Sequence, residues 1–164
     1  MKGTRRRILA AAVIVLVVGG AAAAIFLVDY LGAVKSNIRK LGNPDERVQK
    51  QAVDALVQMG QTAVPALAEA LQDKNSVVRT NAAQALAQIG EPAVPALVEA
   101  LQDEEPDVRR SAAEALAQIG EPAVPALIQA LQDKKRGVRY KAAEALGEIG
   151  PKAEAAMPAL VGAL

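Results

Sequence analysis

The sequence contains no cysteine and no histidine. Without cysteine there is no disulfide and no thiol chemistry, a state compatible with export from the cytoplasm. Without histidine the commonest general base and the commonest transition-metal ligand are missing. A Ser-His-Asp triad, a Cys-His dyad and a Cys/His zinc site are excluded together. Tryptophan is also absent, and the sole phenylalanine, Phe26, sits in an apolar N-terminal stretch. The glycines are spaced as helix stops and form no Gly-rich phosphate loop. The Asp and Glu residues fall at repeat positions, caps or helix surfaces, and no pair stands out as a tuned acid/base couple. The chain therefore reads as a non-enzyme that needs no cofactor and no metal.

Charge is nearly balanced, with a net +1 over 164 residues. Lys2, Arg5, Arg6 and Arg7 supply a basic start, and without those four charges the remainder stands at −3 against +1 for the whole. A net acidic folded part argues against nucleic-acid binding.

From Ile8 to Val28 there is no charged residue. As a helix this run would span about 31 Å, close to the roughly 30 Å of a bilayer's hydrocarbon core. Arg5, Arg6 and Arg7 precede it and Asp29 follows, so the positive-inside rule leaves the N-terminus in the cytoplasm and everything after Asp29 extracytoplasmic. The alternative is a cleavable signal peptide, with Ala22, Ala23 and Ala24 as the small-residue cleavage pattern and a secreted or periplasmic product cut near Ala24. The anchor is favoured because Ile25 to Val28 extends the apolar run past that point. The chain divides into a basic cytoplasmic tail (1–7), a transmembrane anchor or signal peptide (8–28), a linker (29–32) and a repeat domain (33–164).

The repeat domain has a fixed period. Gly60, Gly90, Gly120 and Gly150 are thirty residues apart, as are Val48, Val78, Val108 and Val138, and Leu71, Leu101 and Leu131 keep the same step. Segments of the form VRRSAAEALAQIG alternate with segments of the form AVPALIQALQD. Such a period is the signature of stacked supersecondary units.

Each unit reads as two helices. In the first, Val108, Ala112, Ala115, Leu116 and Ile119 share one helical face, with Arg109, Arg110, Ser111 and Glu114 off it. Gly120 suits the left-handed C′ position that ends a helix. In the second, Val124, Leu127, Ile128 and Leu131 form another stripe, and Pro125 falls in the first turn, where a missing N–H costs little. Asn43 before Pro44, with Glu46 three residues on, reads as the N-cap of the first complete pair. Alanines such as Ala112 and Ala115 let helices approach closely. Neither helix buries its stripe alone, so the units must stack.

The array opens with a lone helix, Ala33–Leu41, whose outer side would carry Lys35, Arg39 and Lys40. It closes with a unit holding three extra turn residues, about Pro151 to Ala153. The expected total is about four helical hairpins plus the opening half, in an all-α chain.

The recurring pattern DxxxxVRxxAAxALxxIG followed by AVPALxxAL resembles the short HEAT-like repeats first named for phycobilisome lyases. The resemblance covers about residues 33–164. It implies a right-handed α-solenoid, a ladder of Asp73, Asp103 and Asp133 with Arg79, Arg109 and Arg139 between units, and a protein-binding role. Asn43 and Gln49 replace the ladder residues in the first unit. Some such proteins attach bilin chromophores, and others are scaffolds. The expected function is a membrane-anchored scaffold or adaptor for a protein or peptide partner at a bacterial-type membrane. The alternatives are a secreted adaptor with the same solenoid and a bilin-lyase-like enzyme or its accessory subunit.

Two surfaces are candidates for the partner. In such solenoids the second helices line the concave face, which places Glu69, Gln72, Glu99, Gln102, Gln129 and Gln132 there, a polar surface without aromatic anchors. The last unit gathers Lys134, Lys135, Arg136, Arg139 and Lys141 around Tyr140, which should be exposed as its equivalents Lys50, Thr80 and Arg110 should be. A basic patch with one tyrosine suits an acidic peptide or an anionic lipid surface. Glu104, Glu105 and Asp107 form an acidic patch one unit earlier, and opposite signs on neighbouring units allow a homo-oligomer.

Overall fold

The computed structural model describes residues 31–156 and 158. The basic tail, the apolar run 8–28, the start of the linker and nearly all of the closing helix lie outside the described residues. Helix α1 (31–40) opens the described region, and Val34 and Leu41 bury themselves in the common core beside it. Its outward Lys35, Arg39 and Lys40 are exposed, as expected of a polar end. Long and short helices then alternate: α2 (Glu46–Met59), α3 (Val64–Ala70), α4 (Ser76–Ile89), α5 (Val94–Ala100), α6 (Pro106–Ile119), α7 (Val124–Ala130) and α8 (Arg136–Ile149). Each long helix has 14 residues and each short one 7. No strand occurs among the described residues.

The packing follows from the apolar stripes. Val108, Ala112, Ala115 and Leu116 of α6 are buried, as are Val124 and Leu127 of α7. Long helices lie side by side in the order α2, α4, α6, α8, and short helices in the order α3, α5, α7. The pairing differs from a simple long-then-short hairpin. Each short helix packs chiefly on the long helix that follows it, α3 on α4, α5 on α6 and α7 on α8. A 3-10 turn such as Glu121–Ala123 separates a long helix from its own short partner, whereas a tight turn leads from each short helix into the next long one.

Those tight turns are built from side chains. In each, a carboxylate or amide accepts the backbone N–H two residues on: Asn43 from Asp45 at 2.9 Å, Asp73 from Asn75 at 2.8 Å, Asp103 from Glu105 at 2.9 Å and Asp133 from Lys135 at 2.7 Å. From the first turn of the following helix a long side chain then clamps the turn's carbonyl oxygens. Arg109 Nη1 donates to the carbonyls of Asp103 and Glu104 at 2.8 and 2.7 Å, and Arg79 and Arg139 repeat the arrangement. Gln49 does the same with a single bond, Nε2 to the Asn43 carbonyl at 2.5 Å. The clamp predicts a graded result. Arg109→Ala should destabilise the fold by about 1–2 kcal/mol, the net worth of charge-assisted bonds to backbone carbonyls. Arg109→Gln should recover about half, because Gln49 already performs the single-bond version; urea denaturation of both variants measures this.

Three local expectations are corrected. The N-cap of α2 is Asp45, which accepts from Arg47 N at 2.9 Å, because Asn43 is committed to the preceding turn. Ser111, expected off the apolar face, is buried at 9% exposure, since its position lies in the seam between neighbouring long helices. The equivalent Asn81 spans the same seam and donates to the Leu41 carbonyl at 2.8 Å and to Gln49 Oε1 at 3.0 Å. Gly120 has positive φ, but its φ of 78° comes with a ψ of −135°, which is not the left-handed helical conformation.

Candidate functional site

The row of short helices brings Glu69, Glu99 and Gln129 to the surface at matching positions, all exposed. The glutamines expected beside them lie past the helix ends, in the turns. There Gln72 Nε2 donates to Asp103 Oδ2 at 2.9 Å, and Gln102 Nε2 donates to Asp133 Oδ2 at 3.4 Å. These two side chains tie one unit to the next and hold the spacing of the row. Gln132 is exposed and makes no side-chain bond of this kind among the described residues.

The ladder is built differently from a set of Asp–Arg carboxylate pairs. Asp73, Asp103 and Asp133 accept turn N–H groups, Asp103 and Asp133 also accept from the glutamine of the preceding unit, Arg79, Arg109 and Arg139 serve turn carbonyls, and the arginine–carboxylate rung between units comes from another residue. Arg79 Nη2 reaches Asp107 Oδ2 of the next unit at 3.1 Å. The Arg79 side chain is 15% exposed and Asp107 58%, and Asp107 also holds Arg110 at 3.2 Å. Asp107 is thus already occupied, which leaves Glu104 and Glu105 as the free part of the acidic patch.

One unit later the rung is missing. The position thirty after Asp107 is Gly137, the second residue of α8, and no carboxylate among the described residues pairs with Arg109. A Cβ at Gly137 would come 3.6 Å from Arg109 Nε, an ordinary contact distance, so a side chain has room there. Gly137→Asp should therefore stabilise the protein by about 1 kcal/mol in urea denaturation. Removing a glycine from a helix contributes about 0.5–1 kcal/mol and an exposed ion pair a few tenths more.

The basic corner surrounds this gap. Lys134, Lys135 and Arg136 are exposed at the turn into α8, and Lys135 Nζ donates to the Gln102 carbonyl at 2.8 Å. Tyr140 is 64% exposed, more than any other large apolar or aromatic side chain described. Lys141 lies 5.5 Å from the centre of the Tyr140 ring and is ion-paired with Glu144, so it steadies the ring and is less free than its neighbours. Sequence reasoning missed a shallow groove of about 380 Å³ at the opposite end of α8, between Gln118, Glu121, Glu148 and Lys152. The signal for it was the lengthened turn after Gly150, which runs over Gly150–Ala156 as two 3-10 pieces joined by a kink at Ala153. Among the described residues no cluster of His, Cys, Asp and Glu could hold a metal ion. Among them, too, no helix is long and apolar enough to cross a membrane.

Comparison with known proteins gives one family and several similar structures. A family model described as HEAT repeats matches residues 34–117 and 94–164. Among solved structures, the complex of CpcE and CpcF of phycocyanin lyase from Nostoc sp. PCC7120 is similar at 25% identity and a TM-score of 0.48, over 80% of this chain and 90% of that one. Human deoxyhypusine hydroxylase in complex with glycerol is similar at 32% identity and a TM-score of 0.47, over 71% of this chain and 43% of that one. A computationally designed armadillo repeat protein for modular peptide recognition is similar at 24% identity and a TM-score of 0.36, over 88% of this chain and 79% of that one. No curated protein matches the sequence.

Proposed function

The chain belongs to the HEAT-repeat family, and from that premise we propose that it is a membrane-anchored scaffold that binds a protein partner and catalyses no reaction. The observation that carries the reading is the regular row of Glu69, Glu99 and Gln129, exposed at thirty-residue steps on helices whose spacing is locked by Gln72 and Gln102. A rigid, evenly spaced polar row gathers affinity by repeating modest contacts across units, which suits a surface without aromatic anchors. Support for the anchor is the uncharged run from Ile8 to Val28 behind Arg5, Arg6 and Arg7, a pattern that by the positive-inside rule favours an extracytoplasmic repeat domain.

A photo-crosslinking amino acid placed at Glu69, Glu99 or Gln129 of the full chain in cells tests the binding surface. A shared crosslinked band from these positions, absent when the probe is at Glu114 on the long-helix side, is the expected result. Equal bands from both layers, or none from the short helices, would reject this face. Alkaline extraction of the same membranes tests the anchor: the chain should stay in the pellet, and its release would favour the secreted adaptor.

A further inference from the structure

The internal repeat acts as its own control at one point on the surface. Where α4 meets α6, Arg79 clamps the turn carbonyls with Nη1 and holds the Asp107 carboxylate with Nη2 at 3.1 Å. Where α6 meets α8, Arg109 clamps its turn in the same way, and the place of that carboxylate is taken by Gly137, which has no side chain. The missing Cβ would lie 3.6 Å from Arg109 Nε, and the Arg109 guanidinium supplies the only side-chain atoms found within 4 Å of that point, so the space beside it is open. Exposed Lys134 and Arg136 flank the opening with no acidic partner among the described residues, and the exposed Tyr140 ring adjoins them one turn along α8.

We propose that the gap at Gly137 is a docking point for an acidic segment of a partner protein, with one of its carboxylates completing on Arg109 the rung that Asp107 completes on Arg79. The chemistry is already realised within the chain: the same Arg in the same clamp holds a carboxylate one unit earlier. Lys134 and Arg136 would receive neighbouring carboxylates and speed the encounter, and the Tyr140 face would cover the apolar part of the segment. The inference rests on the protein-binding reading and adds a second contact point, confined to the N-terminal ends of α6 and α8 and away from Glu114, together with the charge of the segment it takes.

The test uses the full chain in a non-ionic detergent and a fluorescein-labelled hexaglutamate peptide, followed by fluorescence anisotropy at low salt. Wild type should bind. Gly137→Asp, which supplies the rung from within, should weaken binding about tenfold, the loss of one charge-assisted contact. Gln118→Glu adds the same charge at the far end of α6 and should stay within about twofold of wild type, because screening limits long-range charge effects. Thermal melting of Gly137→Asp at or above the wild-type midpoint shows that the variant is folded. Absence of wild-type binding, or equal losses in the two variants, overturns the proposal. Binding to phosphatidylglycerol vesicles without binding to hexaglutamate overturns it in favour of a lipid surface. Crosslinks from the short-helix row without peptide binding would remove this inference and leave the scaffold reading standing.

Discussion

Leu116→Ala should cost about 3–5 kcal/mol, the upper part of the range for burying a smaller residue in a core. Leu116 is fully buried in α6, which has long helices on both sides and α5 packed against it. Its neighbours on the helix, Ala112, Ala113 and Ala115, are already small and buried, so the helices stand close and have little room to collapse onto the cavity. The loss is a large part of the roughly 5–15 kcal/mol that holds a domain together. It should also be local in origin, because in a stacked array each unit is stabilised by its neighbours. Urea denaturation followed by circular dichroism should show an earlier and broader transition as the array parts at its middle. The equivalent change near the end, Leu146→Ala, should leave the main transition nearer to wild type. A Leu116→Ala cost below about 1 kcal/mol would mean that the stripe of α6 is not the seam described.

The seam was legible because its signal is a period. Val108, Ala112, Ala115 and Leu116 recur at helical spacing, the spacing recurs every thirty residues, and all four side chains are buried. What was not legible depends on which of two chemically equivalent partners a side chain takes. Asn43 and Asp45 are both good caps; the turn before α2 claims the first and leaves the second to the helix. Ser111 sits at a flank position whose equivalents are Gln51, Asn81 and Lys141, and no rule of amphipathic patterning says that two long helices close over the smallest of them. The charged residues of the candidate sites were the least legible. Asp107 read as part of an acidic patch and turns out to be a rung as well, whereas Gly137, the residue that leaves a guanidinium without its carboxylate, carries no chemistry of its own to notice. Comparing each unit with its neighbours, position by position, is the signal that finds it.

Gly120 gives the second large effect, and its sign depends on handedness. The residue is held from both sides: its N–H donates to the Leu116 carbonyl at 3.1 Å, closing α6, and its carbonyl accepts from Ala123 N at 2.9 Å, opening the 3-10 turn. With φ at 78° and ψ at −135° it occupies a region that L-residues with a Cβ scarcely enter, and neither angle can relax without breaking one of those bonds. Space is not the obstacle, since nothing lies within 4 Å of where a Cβ would be. Gly120→Ala should therefore cost about 2–3 kcal/mol, all of it backbone strain. The same conformation is the mirror image of polyproline II, which is favourable for a D-residue. D-alanine at this position, introduced by peptide ligation, should stabilise the fold by about 0.5–1 kcal/mol, because it restricts the unfolded chain without straining the folded one. Opposite signs for the two enantiomers, read from urea midpoints, would assign the effect to φ and ψ. Equal losses would assign it to crowding, and the account of how each long helix is made to stop at its glycine would have to be abandoned.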